Sequence, residues 1–92
     1  MSVDINRLDL NILMILAKEK SVDELKGMTI NEINSYYDGQ QLSARTNLSK
    51  RIRRLHSMKL IEKGIKDVIS DTFYIKESGL AAIKWNGGNE NE

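Results

Sequence analysis

From Ile5 to Lys20 apolar side chains recur at helical spacing on two faces at once. Ile5, Leu8, Ile12, Ile15 and Leu16 make one stripe; Leu10, Leu13, Met14 and Ala17 make another, nearly opposite. A surface helix of a small monomer needs only one. The second is therefore expected to meet either a second copy of the chain or a later segment of the same chain, the C-terminal helix above all. A polar link follows, with a single helical turn expected between Ser21 and Gly27. Thr29-Ile30-Asn31-Glu32 has the capping-box spacing and should open a short helix to about Tyr37, turning Ile30, Ile33 and one of Tyr36 and Tyr37 inward. Asp38-Gly39 should break it. Ser43 then stands as the expected N-cap of a longer helix reaching Met58, with Ala44, Leu48, Ile52 and Leu55 as its buried stripe.

After Met58 the period shortens from helical to alternating. Leu60–Lys66 and Thr72–Lys76 read as the strands of a hairpin, with Phe73 and Ile75 on one face and Tyr74 on the other. A last helix from about Glu77 carries Leu80, Ala81, Ile83 and Trp85, and Gly87-Gly88 ends it. The expected fold is mainly α with a small β-hairpin. One domain should span residues 1–86, with residues 1–4 frayed and a disordered Asn/Glu tail at 87–92.

Composition adds little until charge is placed along the chain. The apolar and charged fractions, 40% and 29%, are those of a soluble globular domain, and the net charge is only +1. Yet residues 45–66 hold eight Lys/Arg against one acid, whereas residues 1–44 hold four against seven and residues 67–92 two against five. Five of those eight cations lie on the Ser43–Met58 helix. Thr46, Ser49, Lys50, Arg53 and Ser57 lie opposite its apolar stripe, with Asn47 and Arg54 on the flank. No acid stands among Arg45, Lys50, Arg51, Arg53 and Arg54, so the i,i+4 ion pairs of an ordinary solvated helix are missing. Such a surface suits a polyanion; an idle basic face is the alternative reading.

Other chemistry finds little support. The chain has no cysteine and one histidine, His56, with no suitably spaced carboxylates for a metal site. No nucleophile–base pair and no phosphate-cradling glycine loop can be read, so no enzyme, metal or cofactor is expected. Ile12–Ala17 is the longest apolar run and is too short to cross a bilayer; with no basic start of a signal peptide, a cytoplasmic location is expected. Two helices joined by a Gly-containing turn, the second basic, make a helix-turn-helix.

The order helix, helix, basic helix, hairpin, helix resembles that of winged helix-turn-helix domains, with a three-helix core, a two-stranded wing and a C-terminal helix. Arg45-Thr46-Asn47-Leu48-Ser49-Lys50-Arg51-Ile52-Arg53-Arg54-Leu55 resembles the recognition helix of small bacterial regulators of the MarR and PadR groups. Leu60-Ile61-Glu62-Lys63 is similar to the start of their first wing strand, and Phe73–Gly79 to their passage into the last helix. Two positions depart from the pattern: Lys59 replaces the usual Gly, and Asp67 and Asp71 bracket a wing that often carries Arg or Lys.

The second apolar stripe of the first helix favours a homodimer, and the resemblance implies binding of double-stranded DNA. It implies base contacts from Arg45, Thr46, Ser49, Lys50 and Arg53, and phosphate contacts from Gln40, Gln41, Ser43, Asn47, Arg54, Lys63 and Lys66. Arg51, at the border of the apolar stripe, reads as structural and directed toward an acid. Leu10, Leu13, Met14, Ala17 and Trp85 are the expected dimer contacts. Three functions stay open: a transcription regulator acting as a repressor, a centromere-binding adaptor of a plasmid or phage partition system with a filament-forming NTPase as partner, and a winged helix that binds protein.

Overall fold

The computed structural model describes residues 5–37 and 40–84. Helix α1 (Arg7–Lys18) is followed by a 3-10 turn (Glu24–Lys26), strand β1 (Met28–Thr29) and helix α2 (Ile30–Asn34). Helix α3 (Arg45–Ser57), strands β2 (Ile61–Lys63) and β3 (Thr72–Ile75) and helix α4 (Glu77–Ile83) complete the order. Residues 1–4, Asp38-Gly39, Trp85 and the 87–92 tail lie outside the described residues, and with them the expectations placed there.

The first two helices begin where a side chain can satisfy their free N–H groups. Asn6 caps α1 and Thr29 caps α2, each in a reciprocal capping box with Asp9 and Glu32. Asp23, not Ser21, caps the 3-10 turn. Ser21 is fully buried, donating its hydroxyl to the Phe73 carbonyl at 3.2 Å and accepting the Ile75 N–H on its own carbonyl at 2.8 Å. Helices α1 and α3 close with Lys20 and Lys59 in the left-handed region, φ 56° and 65°, where glycine is the usual choice. Lys59 thus keeps the turn's usual shape at the position where the resembling proteins carry Gly.

The sheet has three strands, in order β1-β3-β2, all antiparallel, rather than the two expected. β2 is shorter than the Leu60–Lys66 expectation. The Leu60 N–H closes the end of α3 on the Leu55 carbonyl, and the Ile65 N–H turns away to the Glu24 carbonyl. Leu48, Ile52 and Leu55 of α3 pack with Ile12, Leu13, Ile15 and Leu16 of α1, Ile33 of α2, and Ile61, Phe73 and Ile75 of the sheet. Burial of each such side chain contributes about 2 kcal/mol. Gly79 lets α4 cross the sheet closely: a Cβ there would lie 2.6 Å from Ile75 Cγ1.

Two expectations fail on burial. Ala44 is exposed, because it precedes the first turn of α3. Leu13 has no accessible surface, so it belongs to this chain's own core and is not free to meet a second copy. Helix α4 packs against α1. Met14 stays 42% exposed, and Leu10 and Ala17 are half-buried.

A single charged side chain, Asp9, is fully buried among the described residues. Its carboxylate takes a two-pronged interaction from Arg51, with Nε at 2.8 Å from Oδ1 and Nη2 on Oδ2, and the Asn6 N–H at 3.0 Å. Asp9→Ala should lower the free energy of urea unfolding by about 3 kcal/mol, the penalty for breaking a buried pair. A loss of about 1 kcal/mol or less, the worth of a surface pair, would contradict that role.

Candidate nucleic-acid interface

Because Arg51 is drawn inward to α1, the cations on either side of it are turned outward. Lys50, Arg53 and Arg54 are exposed, as are Arg45, Thr46 and Asn47 one to two turns earlier; Ser49 is half-buried between them. No acid lies on α3, and its last turn adds Arg54 and His56. The first turns of α1, α2 and α4 hold Asp9, Glu32 and Glu77 respectively; that of α3 holds no acid and receives no side-chain cap. The positive end of the α3 dipole is therefore left open beside Arg45.

The segment leading into α3 is held by a residue the sequence reading passed over. Asn34 is buried, and its Oδ1 accepts the N–H groups of Leu42 and Ser43 at 2.8 and 3.2 Å while its Nδ2 donates to the Ser43 carbonyl at 3.1 Å. Its signal was present: Ile30, Ile33 and Asn34 share one helix face, and a polar residue on a buried face needs partners. Ser43 is half-buried and does not cap α3; its hydroxyl accepts from Asn47 Nδ2 at 2.8 Å. Arg45 donates to Asn31 of α2, which holds its guanidinium at the head of α3. Gln40 and Gln41 are exposed on the same connection.

Two grooves flank the α3 face. One, of about 240 Å³, lies between α3 and the sheet and gathers Ser49, Arg53, His56, Lys63 and Asp71 over an apolar floor of Ile52 and Phe73. The other, also about 240 Å³, joins Arg45 and Asn31 to Ile69, Ser70 and Asp71 of the hairpin. Asp71 lines both, and it pairs with Lys63 at 3.6 Å. Lys66 is not part of this assembly: it lines a separate groove with Leu25, Glu32 and Asp67, to which α3 contributes nothing.

His56 faces the sheet, its Nε2 2.7 Å from Glu62 Oε1 and its ring edge-on to Phe73. The Lys63 N–H at 3.0 Å and then His56 hold the Glu62 carboxyl below the usual glutamate range. Tyr36, two residues past α2, reaches the C-cap of α1 by donating a 2.9 Å hydrogen bond to Glu19, which keeps the phenol protonated beyond its ordinary range. Tyr37 is exposed and edge-on to Tyr36.

A short helix and a longer basic helix joined by a pinned turn, backed by α1 and flanked by a β-hairpin, define a winged helix-turn-helix. Solved structures with this fold superpose on the chain. TubR from Bacillus megaterium pBM400 matches with a TM-score of 0.74 and 17% identity, covering 88% of this chain and 84% of that one. The DNA-binding TubR fragment from Clostridium botulinum matches with a TM-score of 0.63 and 23% identity, covering 90% and 98%. MepR of S. aureus, solved as a DNA complex, matches with a TM-score of 0.69 and 21% identity, covering 89% and 61%. No family model and no curated protein matches the sequence.

The lowered Glu62 value gives a pH dependence of definite sign. A carboxyl depressed on folding contributes stability above its unfolded value, near 4.5, and loses it as pH falls through the folded value. Glu62→Gln should therefore melt below wild type at pH 6, and the gap should close as pH is lowered past that range. A gap that persists undiminished in acid would show that the charge of Glu62 is irrelevant.

Proposed function

We propose that the chain is a sequence-specific double-stranded DNA-binding protein that acts as a homodimer and regulates transcription, most directly as a repressor occluding a promoter. The observation that carries this reading is the cationic face of α3, with Arg45, Lys50 and Arg53 exposed and no acid on the helix. In the proposed complex the N-terminal half of α3 lies in the major groove. Arg45, Thr46, Ser49, Lys50 and Arg53 face base edges; Arg can grip guanine through two hydrogen bonds. Gln40, Gln41, Ser43, Asn47 and Arg54 approach phosphates, aided by the open N-terminus of α3. Lys63 contributes from the wing only as far as its pairing with Asp71 allows. The partly exposed face made by Leu10, Met14 and Ala17 of α1, joined by Leu80 of α4, is the proposed contact between two copies. Two recognition helices would then meet half-sites about 34 Å apart.

A second reading is an adaptor for DNA segregation. The backbone similarity to TubR from Bacillus megaterium and to the Clostridium botulinum fragment supports it. In that case a filament-forming partition NTPase is the expected partner. Binding sites selected from a random pool separate the two: a single palindrome favours repression, and a tandem array favours segregation.

With about six phosphates neutralised, log affinity should fall with log salt at a slope of about −5. Lys50→Ala together with Arg53→Ala should weaken duplex binding by about a hundredfold at moderate salt and flatten that slope, as read by fluorescence anisotropy. Unchanged binding by the folded double variant would favour a winged helix whose partner is a protein.

A further inference from the structure

We propose that the wing tip and the 3-10 turn beside it form a docking surface for a protein segment that alternates apolar with Lys or Arg side chains. The surface centres on the groove that Leu25 and Ile65 share, to which α3 contributes nothing, and touches α3 only where Ile69 faces Arg45 across a second groove. Half of the large exposed apolar side chains among the described residues gather there: Val68 is 88% exposed, Ile69 85%, Leu25 77% and Ile65 56%. The chain holds them in place. The Ile65 N–H bonds the Glu24 carbonyl at 3.0 Å, fastening the wing to the 3-10 turn, and Thr72 Oγ1 donates to the Ile65 carbonyl at 2.8 Å. Leu25 and Ile65 thereby share one groove of about 330 Å³ with Glu32, Lys66 and Asp67.

The tip itself is unusual in its chemistry. Asp67 and Ser70 exchange backbone hydrogen bonds at 2.9 and 3.0 Å, closing a two-residue turn on Val68 and Ile69. Val68 has φ 61°, a conformation that a β-branched residue adopts at a cost of about 1–2 kcal/mol and that glycine adopts freely. A tight turn made of two exposed aliphatics, one of them strained, is a poor solution for stability alone. Strain kept at an exposed tip points to a use for the side chain.

Charge selects the occupant. Asp23, Glu24, Glu32 and Asp67 are exposed around this surface against Lys26 and Lys66, and Asp23 is fixed by accepting the N–H groups of Leu25 and Lys26. The excess of acid opposes DNA phosphates and favours a cationic partner. An apolar, basic segment of another protein satisfies both features.

Val68→Gly with Leu25→Ser removes two of the exposed aliphatics, leaves Ile69 and its groove toward Arg45 untouched, and gives the turn a residue it accommodates better, so this variant should melt no lower than wild type. Random peptides displayed on phage and panned on wild type should be enriched for aliphatic or aromatic residues interspersed with Lys or Arg. A synthesised winner should shift the backbone amide resonances of 24–26 and 65–71, and bind the variant about tenfold more weakly or worse. Anisotropy with a DNA duplex should be within about twofold for the two proteins. Peptides that bind both proteins equally would overturn the proposal. A large loss of duplex affinity in the variant would reassign the tip to the minor groove. A change of oligomeric state in sedimentation would reassign it to a contact between copies. Because the peptide and DNA measurements are independent, failure of one reading is distinguishable from failure of the other.

Discussion

The buried pairing of Arg51 with Asp9 sets the rotation of α3, and the exposed face of that helix follows from it. A helix advances about 100° per residue, so the neighbour of an inward Arg faces elsewhere. With Arg51 held by a fully buried carboxylate, Leu48, Ile52 and Leu55 fall on the core, while Lys50, Arg53 and Arg54 face solvent. Hydrophobic burial alone would tolerate some roll of α3 about its axis. A two-pronged Arg–carboxylate contact with the Asn6 N–H on the same oxygen does not. The net worth of a buried ion pair lies more in defining one arrangement than in stability. Asp9 serves twice, since it also completes the capping box of α1.

The start of α3 is fixed with the same economy. Asn34 replaces water for the backbone of Leu42 and Ser43, and Asn31 holds Arg45. Neither residue is spent on capping α3, whose first N–H groups remain open. The helix that would be the least stable of the four by capping and charge rules is the one best suited to meet an anion. Its stability comes instead from three buried aliphatics and from the closing turn at Lys59. Opposite charge is concentrated on the wing side, where Asp67 and Asp71 limit what Lys63 can offer a phosphate.

Much of this was legible from residue patterns. The apolar spacing of α1 and α3, the capping box at Thr29 and the alternation of Phe73, Tyr74 and Ile75 are local signals, and each maps onto the element it suggested. The inward course of Arg51 was also readable, but its partner was not, because Asp9 lies 42 residues away. β1 escaped notice because two residues carry no alternation; they pair only because β3 offers an edge. Ser43 looked like a cap by residue type, yet its backbone is claimed by Asn34 and the helix starts one residue later. Leu13 was misjudged for another reason: periodicity shows that a face is apolar, not whether the same chain covers it.

Amide chemical-shift mapping with a short DNA duplex tests the central claim most directly. The largest shifts should fall on Arg45–Arg54 and on the connection that Asn34 holds, should scale with duplex added, and should fade as salt is raised. Binding that leaves α3 unshifted, or a folded chain that shows no shift with duplex even in dilute buffer, would contradict it.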